Sequence, residues 1–80
     1  MSRRNAVVDR AFDAAVGRRV MLTRKSLHVS QPDLASAIGV SQQTMSNYEL
    51  GCSSMPPVLL ARIAAKLGVS AGVLIPKIQP

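Results

Sequence analysis

The segment Gln42-Gln43-Thr44-Met45-Ser46-Asn47-Tyr48-Glu49 gathers amides and hydroxyls at helical spacing, directly after Ser41, a good helix N-cap. On a helix, Met45 and Tyr48 lie three residues apart on one inward face. Gln43, Ser46 and Asn47 occupy the opposite face with Gln42 at the tip. These side chains are short and uncharged, and they both donate and accept hydrogen bonds. Such a face suits recognition of another molecule's hydrogen-bonding groups, and bond making or breaking needs something else. The residues that do covalent chemistry are sparse: one His (His28), one Cys (Cys52) and four dispersed acids. There is no Gly-rich phosphate loop and no metal-ligand spacing. No enzyme activity, cofactor or metal is expected.

The charge balance indicates what such a face meets. Ten Lys and Arg stand against four Asp and Glu, for a formal charge of +6. That excess favours a polyanion. Phe12 and Tyr48 are the only aromatic residues, too few to stack successive bases of a single strand, so duplex DNA ranks above RNA or single-stranded partners. A chain of 80 residues, 48% of them hydrophobic, is one folded domain. No uncharged run is long enough to span a bilayer, so no membrane partner is expected. Arg3 and Arg4 are followed by Asp9, Arg10 and Asp13 without an apolar stretch, so nothing directs export. A lone cysteine permits no internal disulfide, which fits a reducing cytoplasm.

The elements that position the polar face can be placed in turn. Val8, Phe12, Ala15, Val16, Val20 and Leu27 recur at near-helical intervals and predict a long first helix over about 9–26. Asn5 or Asp9 would cap it. Residues 1–8 are then a flexible basic arm, 9–76 the folded domain and 77–80 a short loose tail. Ser30 caps a second helix beginning near Gln31, with Pro32 and Asp33 in its first turn, Leu34, Ala35 and Ile38 inward, and Gly39 as its stop. The third helix covers 42–50, and Gly51 ends it. Pro57 opens a fourth with Leu59, Leu60, Ile63, Ala64 and Leu67 buried and Gly68 closing it. Ser70 caps a last short helix that Pro76 ends.

Two short helices joined by a Gly-containing turn are the geometry that sets the second helix into a major groove about 12 Å wide. Ala35 lets the pair cross closely, Gly39 supplies the turn, and Leu34, Ile38, Val40, Met45 and Tyr48 seal the inside. Ser30-Gln31 with Leu34-Ala35, Ile38-Gly39-Val40-Ser41, Thr44 through Glu49 with Gly51, and Leu67-Gly68-Val69-Ser70 together resemble the helix-turn-helix domain of phage Cro and repressor proteins, the xenobiotic-response-element type. The resemblance covers Val16 to Ile75. It implies an all-α, compact five-helix bundle of the lambda-repressor-like kind, usually a homodimer, that binds operator DNA as a transcription regulator, here a repressor.

Carried over residue by residue, the resemblance makes Gln42, Gln43, Ser46 and Asn47 base readers. The chemistry agrees, because Gln and Asn can engage adenine N6 and N7 together, a pair giving about 1–3 kcal/mol of discrimination. Ser30 and Gln31 resemble a phosphate clamp at the start of the second helix. Thr44, Ser53, Arg3 and Arg4 are the further phosphate contacts. Arg24 and Glu49 match a structural ion pair tying the first helix to the end of the third, expected to be partly exposed.

The departures from the pattern are specific. The loop Leu50-Gly51-Cys52-Ser53-Ser54 lacks the usual Lys or Arg, so amides and hydroxyls must serve there. His28 sits where a helix-ending Gly is usual. Met21, Leu22 and Leu50 are apolar at ordinarily polar positions, and Val73, Leu74, Ile75 and Ile78 add apolar surface expected to form a two-fold dimer contact. The alternative reading is an antitoxin-like module that uses the same fold to bind a protein partner, with DNA binding secondary.

Overall fold

The computed structural model describes residues 3–77, with side chains from residue 10 onward, and the described chain is all helix and connecting loop. The elements are α1 (Arg3–Ser26), α2 (Gln31–Ile38), α3 (Gln42–Leu50), α4 (Pro57–Leu67) and α5 (Ala71–Leu74). Local chemistry explains most boundaries. Ser30 Oγ accepts from the Asp33 amide and Ser41 Oγ accepts from the Thr44 amide, each satisfying a donor that the first turn leaves free. Gly39, Gly51 and Gly68 take the left-handed conformation that closes α2, α3 and α4. Ser70, by contrast, makes no side-chain cap bond to α5.

Two expectations about α1 are corrected. Its backbone is helical from Arg3, several residues before the start expected near Asp9. That stretch contains no Gly or Pro to stop a helix extending backward from Asp9. Leu27, expected on the buried stripe, is 46% exposed. The helix ends at Ser26 and the chain turns through His28 at φ 58°, which removes Leu27 from the helical face. A histidine in that region lacks the freedom of glycine and carries a strain cost of about 1–2 kcal/mol.

The core draws on all five helices. Val16 and Val20 of α1 meet Leu34, Ala35 and Ile38 of α2, Met45 and Tyr48 of α3, Ile63, Ala64 and Leu67 of α4, and Leu74 of α5. Leu74 is fully buried within one chain, so it is a core residue and not available to the dimer surface assigned to it. The period of the short helix places it inward while Val73 and Ile75 stay out. Ile78 lies outside the described residues. Two arginines fasten the outer elements: Arg19 Nη1 donates to the Val73 carbonyl at 3.4 Å, and Arg62 Nη1 donates to the Ile38 carbonyl at 3.4 Å. The second bond satisfies a carbonyl left free at the end of α2.

Gly17 governs how α3 sits on α1. A Cβ added there would lie 2.2 Å from the Tyr48 carbonyl oxygen and 2.7 Å from that of Glu49. Both are backbone atoms at the end of α3 and cannot swing aside. Only glycine permits this approach, although in mid-helix it costs roughly 0.5–1 kcal/mol relative to alanine. Gly17→Ala is therefore expected to destabilise the domain by about 1–3 kcal/mol despite its better helix propensity. Thermal melting checks this, with a fall of about 4–8 °C per kcal/mol for a domain of this size; an unchanged or higher Tm would contradict the close approach.

Candidate nucleic-acid interface

Arg24, near the end of α1, projects between α1 and α3, where it meets Glu49 of α3. Arg24 Nε donates to Glu49 Oε2 at 2.7 Å and Arg24 Nη2 donates to Glu49 Oε1 at 2.9 Å, a bidentate pair. Arg24 Nη1 also donates to the Val29 carbonyl at 3.0 Å, holding the turn that leads into α2. The pair was expected to be partly exposed. It is buried, with Arg24 at 8% and Glu49 at 6% exposure, because the close packing at Gly17 brings the end of α3 against α1. No buried side-chain polar atom among the described residues lacks a partner.

From Glu49 the hydrogen bonds continue outward. Gln31 Nε2 donates to Glu49 Oε1 at 3.0 Å, and Gln42 Nε2 donates to Gln31 Oε1 at 3.3 Å. A relay of four side chains thus runs from a buried ion pair to the exposed tip of α3. It fixes Gln31, the first residue of α2, beside Gln42, the first residue of α3. The family resemblance paired Arg24 with Glu49 but did not reveal the extension through Gln31, which depends on how α2 and α3 cross.

The outward face of α3 is built as its helical period dictates. Met45, Tyr48 and Glu49 are buried. Gln42 and Gln43 are exposed, and Ser46 and Asn47 are half-buried. Gln43 Nε2 donates to Asn47 Oδ1 at 3.2 Å, one turn apart, which orients both amides while leaving further donors and acceptors free. The four residues singled out as base readers therefore share one accessible side. Leu50, the most exposed large hydrophobic residue among the described residues at 68%, continues that side at its C-terminal end.

The other assigned residues are distributed around this face. Ser30 is exposed at the α2 N-cap, its oxygen engaged by the Asp33 amide. Thr44 is half-buried and its Oγ1 accepts from the Ser41 hydroxyl at 3.0 Å, so it is part of the α3 cap. Ser53 is exposed in the loop after α3. Its neighbour Ser54 donates to Asp13 Oδ2 of α1 at 2.5 Å. Arg3 and Arg4 open α1, and their side chains lie outside the described residues. Among the described residues no group of His, Cys, Asp and Glu is arranged to hold a metal ion, and no helix is long and apolar enough to cross a membrane.

An all-α domain whose second helix braces a third, with the third offering a polar face outward, is a helix-turn-helix DNA-binding domain. Known proteins agree: the helix-turn-helix family profile matches residues 20–74. The chain belongs to that family, in its xenobiotic-response-element type, and is a DNA-binding transcription regulator. Among solved structures, the clp gene regulator ClgR from Corynebacterium glutamicum is similar at 28% identity and TM-score 0.76, over 79% of this chain and 82% of that one. A second structure of ClgR gives 28% identity and 0.77, over 79% and 67%. The restriction-modification controller protein C.AhdI from Aeromonas hydrophila shares the fold at TM-score 0.77 and 23% identity, over 81% of this chain and 98% of that one. No curated protein gives a significant sequence match.

The bonds to Glu49 raise the Arg24 pKa above the ordinary arginine value, outweighing the lowering effect of burial. A raised pKa on a cation contributes stability below the unfolded value and loses it only as pH rises through the folded one, so the arginine stays charged at any working pH. Breaking the pair from one side leaves the other charge buried and alone. Glu49→Gln or Arg24→Met is expected to cost about 3–5 kcal/mol in urea unfolding, whereas the double variant Arg24→Met/Glu49→Leu recovers most of that loss. Single variants with wild-type stability would show that the pair is solvated.

Proposed function

We propose that the chain is a sequence-specific repressor that binds duplex DNA as a homodimer, reading the major groove with α3 and catalysing no reaction. The observation that carries this is the relay from Arg24 and Glu49 through Gln31 to Gln42. It spends a buried, bidentate ion pair on holding the exposed tip of α3 and the start of α2 in register. A surface meant only for solvent gains nothing from such bracing. Gln42, Gln43, Ser46 and Asn47 then read base edges. Ser30, Gln31, Thr44, Ser53, Arg3 and Arg4 face phosphates, with the free amides at the start of α2 as the natural anion donors. The role of the solved relative ClgR, a clp gene regulator, points the same way. The compartment that suits the role and the single free thiol is the cytoplasm.

The dimer is formed through apolar surface near the C-terminus. Val73 is 46% exposed and Ile75 lies at the exposed margin, apolar surface that one subunit does not bury, and Ile78 is a further apolar residue of the same sequence end. A two-fold pair of such subunits presents two α3 helices to half-sites one turn apart, about 34 Å. Sedimentation is expected to show a dimer at micromolar concentration or on DNA; monomer alone under both conditions would remove the symmetric arrangement.

Selection of bound duplexes from a random pool is expected to return a palindromic consensus. On that operator Asn47→Ala or Gln43→Ala is expected to cost about 1–3 kcal/mol and to relax choice at one base pair. An equal loss on every sequence would mean that these amides contact the backbone, and no selected consensus with a stoichiometric co-purifying protein would favour the partner-binding module.

A further inference from the structure

We propose that Arg10 of α1 and the loop after α3 together form a docking site for a backbone phosphate of duplex DNA, with α1 supplying a cation that the reading helices lack. This rests on the function proposed above and deepens it. From Val29 to Ala61 the sequence contains no Lys or Arg, while it contains Asp33 and Glu49. The whole of α2, α3 and the following loop is therefore without positive charge. A duplex carries one negative charge per roughly 1.7 Å of its axis, and affinity depends on neutralising some of it. The cations must come from elsewhere in the fold.

Several of them are already engaged. Arg24 is held by Glu49, Arg19 bonds the Val73 carbonyl, and Arg62 bonds the Ile38 carbonyl. Arg10 is placed differently. It is exposed, and with Asp13 and Ala14 it forms the α1 side of a cleft of about 540 Å³ whose other side is Gly51, Cys52, Ser53 and Ser54. That loop begins at the residue closing α3, so it is the first backbone to meet the strand bordering whatever groove α3 enters. The two walls are locked together. A Cβ at Gly51 would lie 2.6 Å from Ala14 Cα, and Ser54 donates to Asp13.

Arg10 sits three residues before Asp13, on the same side of α1. Its guanidinium is thus carried to the mouth of the loop, where its planar fork suits phosphate oxygens. The Ser53 hydroxyl and the loop amides are the neutral donors. The Asp13 carboxylate opposes an anion there; the Ser54 hydroxyl bonds it and Arg10 offsets its charge. One phosphate between Arg10 and the loop replaces the contact that a basic loop would have made.

The test uses the full chain and two duplexes, the selected operator and a random sequence. Arg10→Gln is expected to weaken both by the same factor and to make the slope of log K against log salt shallower by about 0.9, so that the affinity lost between 50 and 200 mM salt is about 3.5-fold smaller than for the wild type. Arg10→Lys is expected to restore the slope. Circular dichroism and melting are expected to stay at wild-type values, since Arg10 is exposed and outside the core. In the unmodified protein, alkylation of the exposed Cys52 thiol by iodoacetamide is expected to slow when either duplex is bound. A wild-type slope in Arg10→Gln, or a Cys52 rate indifferent to DNA, would overturn the assignment while leaving the base-reading proposal standing. Failure of the wild type to bind any duplex would overturn both.

Discussion

A guanidinium and a carboxylate removed from water at the junction of α1 and α3 determine where the start of α2 and the polar tip of α3 stand. Arg24 reaches the Val29 carbonyl as well as Glu49, so one side chain joins three places: the body of α1, the turn into α2 and the end of α3. Burying two charges is not in itself a stabilising device, since an apolar pair of similar volume often does as well. What the charged pair supplies is direction. Its hydrogen bonds permit one relative placement of three elements, and the remaining capacity of Glu49 Oε1 is used to orient Gln31 and through it Gln42. A greasy contact at the same place would hold α3 down without specifying which way its tip points.

That pair depends in turn on a glycine. At Gly17 the α3 carbonyls approach α1 more closely than any side chain allows, and this approach closes Glu49 off from solvent. The two features are coupled through space alone: Gly17 is seven residues from Arg24 along α1, and both meet the last turn of α3. The third contact in the series, Gly51 against Ala14, continues the same line toward the start of α1. Because α1 touches α3 along this line, the long first helix acts as the spine against which α3 is set. The smaller helices α4 and α5 close the core behind it, with Arg62 and Arg19 tying them to the end of α2 and to α1.

What could be read from the sequence follows the range of the interactions involved. Ser30, Ser41, Gly39, Gly51 and Gly68 act on neighbours within a few residues, so the limits of α2, α3 and α4 were visible in their order along the chain. The period of α3 alone separated Met45 and Tyr48 from the polar side. Features that arise where distant segments meet were not visible. Gly17 lies in the middle of α1, and nothing near it in sequence announces the Tyr48 carbonyl. Glu49 was correctly paired but placed too near the surface, because its burial depends on that same approach. Leu74 was counted with an apolar tail when a single turn of helix turns it inward, and a missing breaker before Asp9 let α1 begin at Arg3.

In the proposed complex, specificity and attraction fall to separate parts of the chain. The helices that present amides outward carry no Lys or Arg, and the positive charge is concentrated on α1 and beyond Ala61. A neutral reading face has a physical advantage. Long cationic side chains next to the base edges would bind any phosphate nearby, raising affinity for all sequences alike, whereas amides discriminate only when their donors and acceptors are matched. Cations set back from that face still draw the domain toward DNA over distances of about a Debye length, near 8 Å at physiological salt, without competing for the groove itself. The close contact of α1 with α3 makes the division workable, since it binds the charged helix rigidly to the neutral one. In the proposed complex, attraction felt by α1 is thereby delivered as positioning of α3.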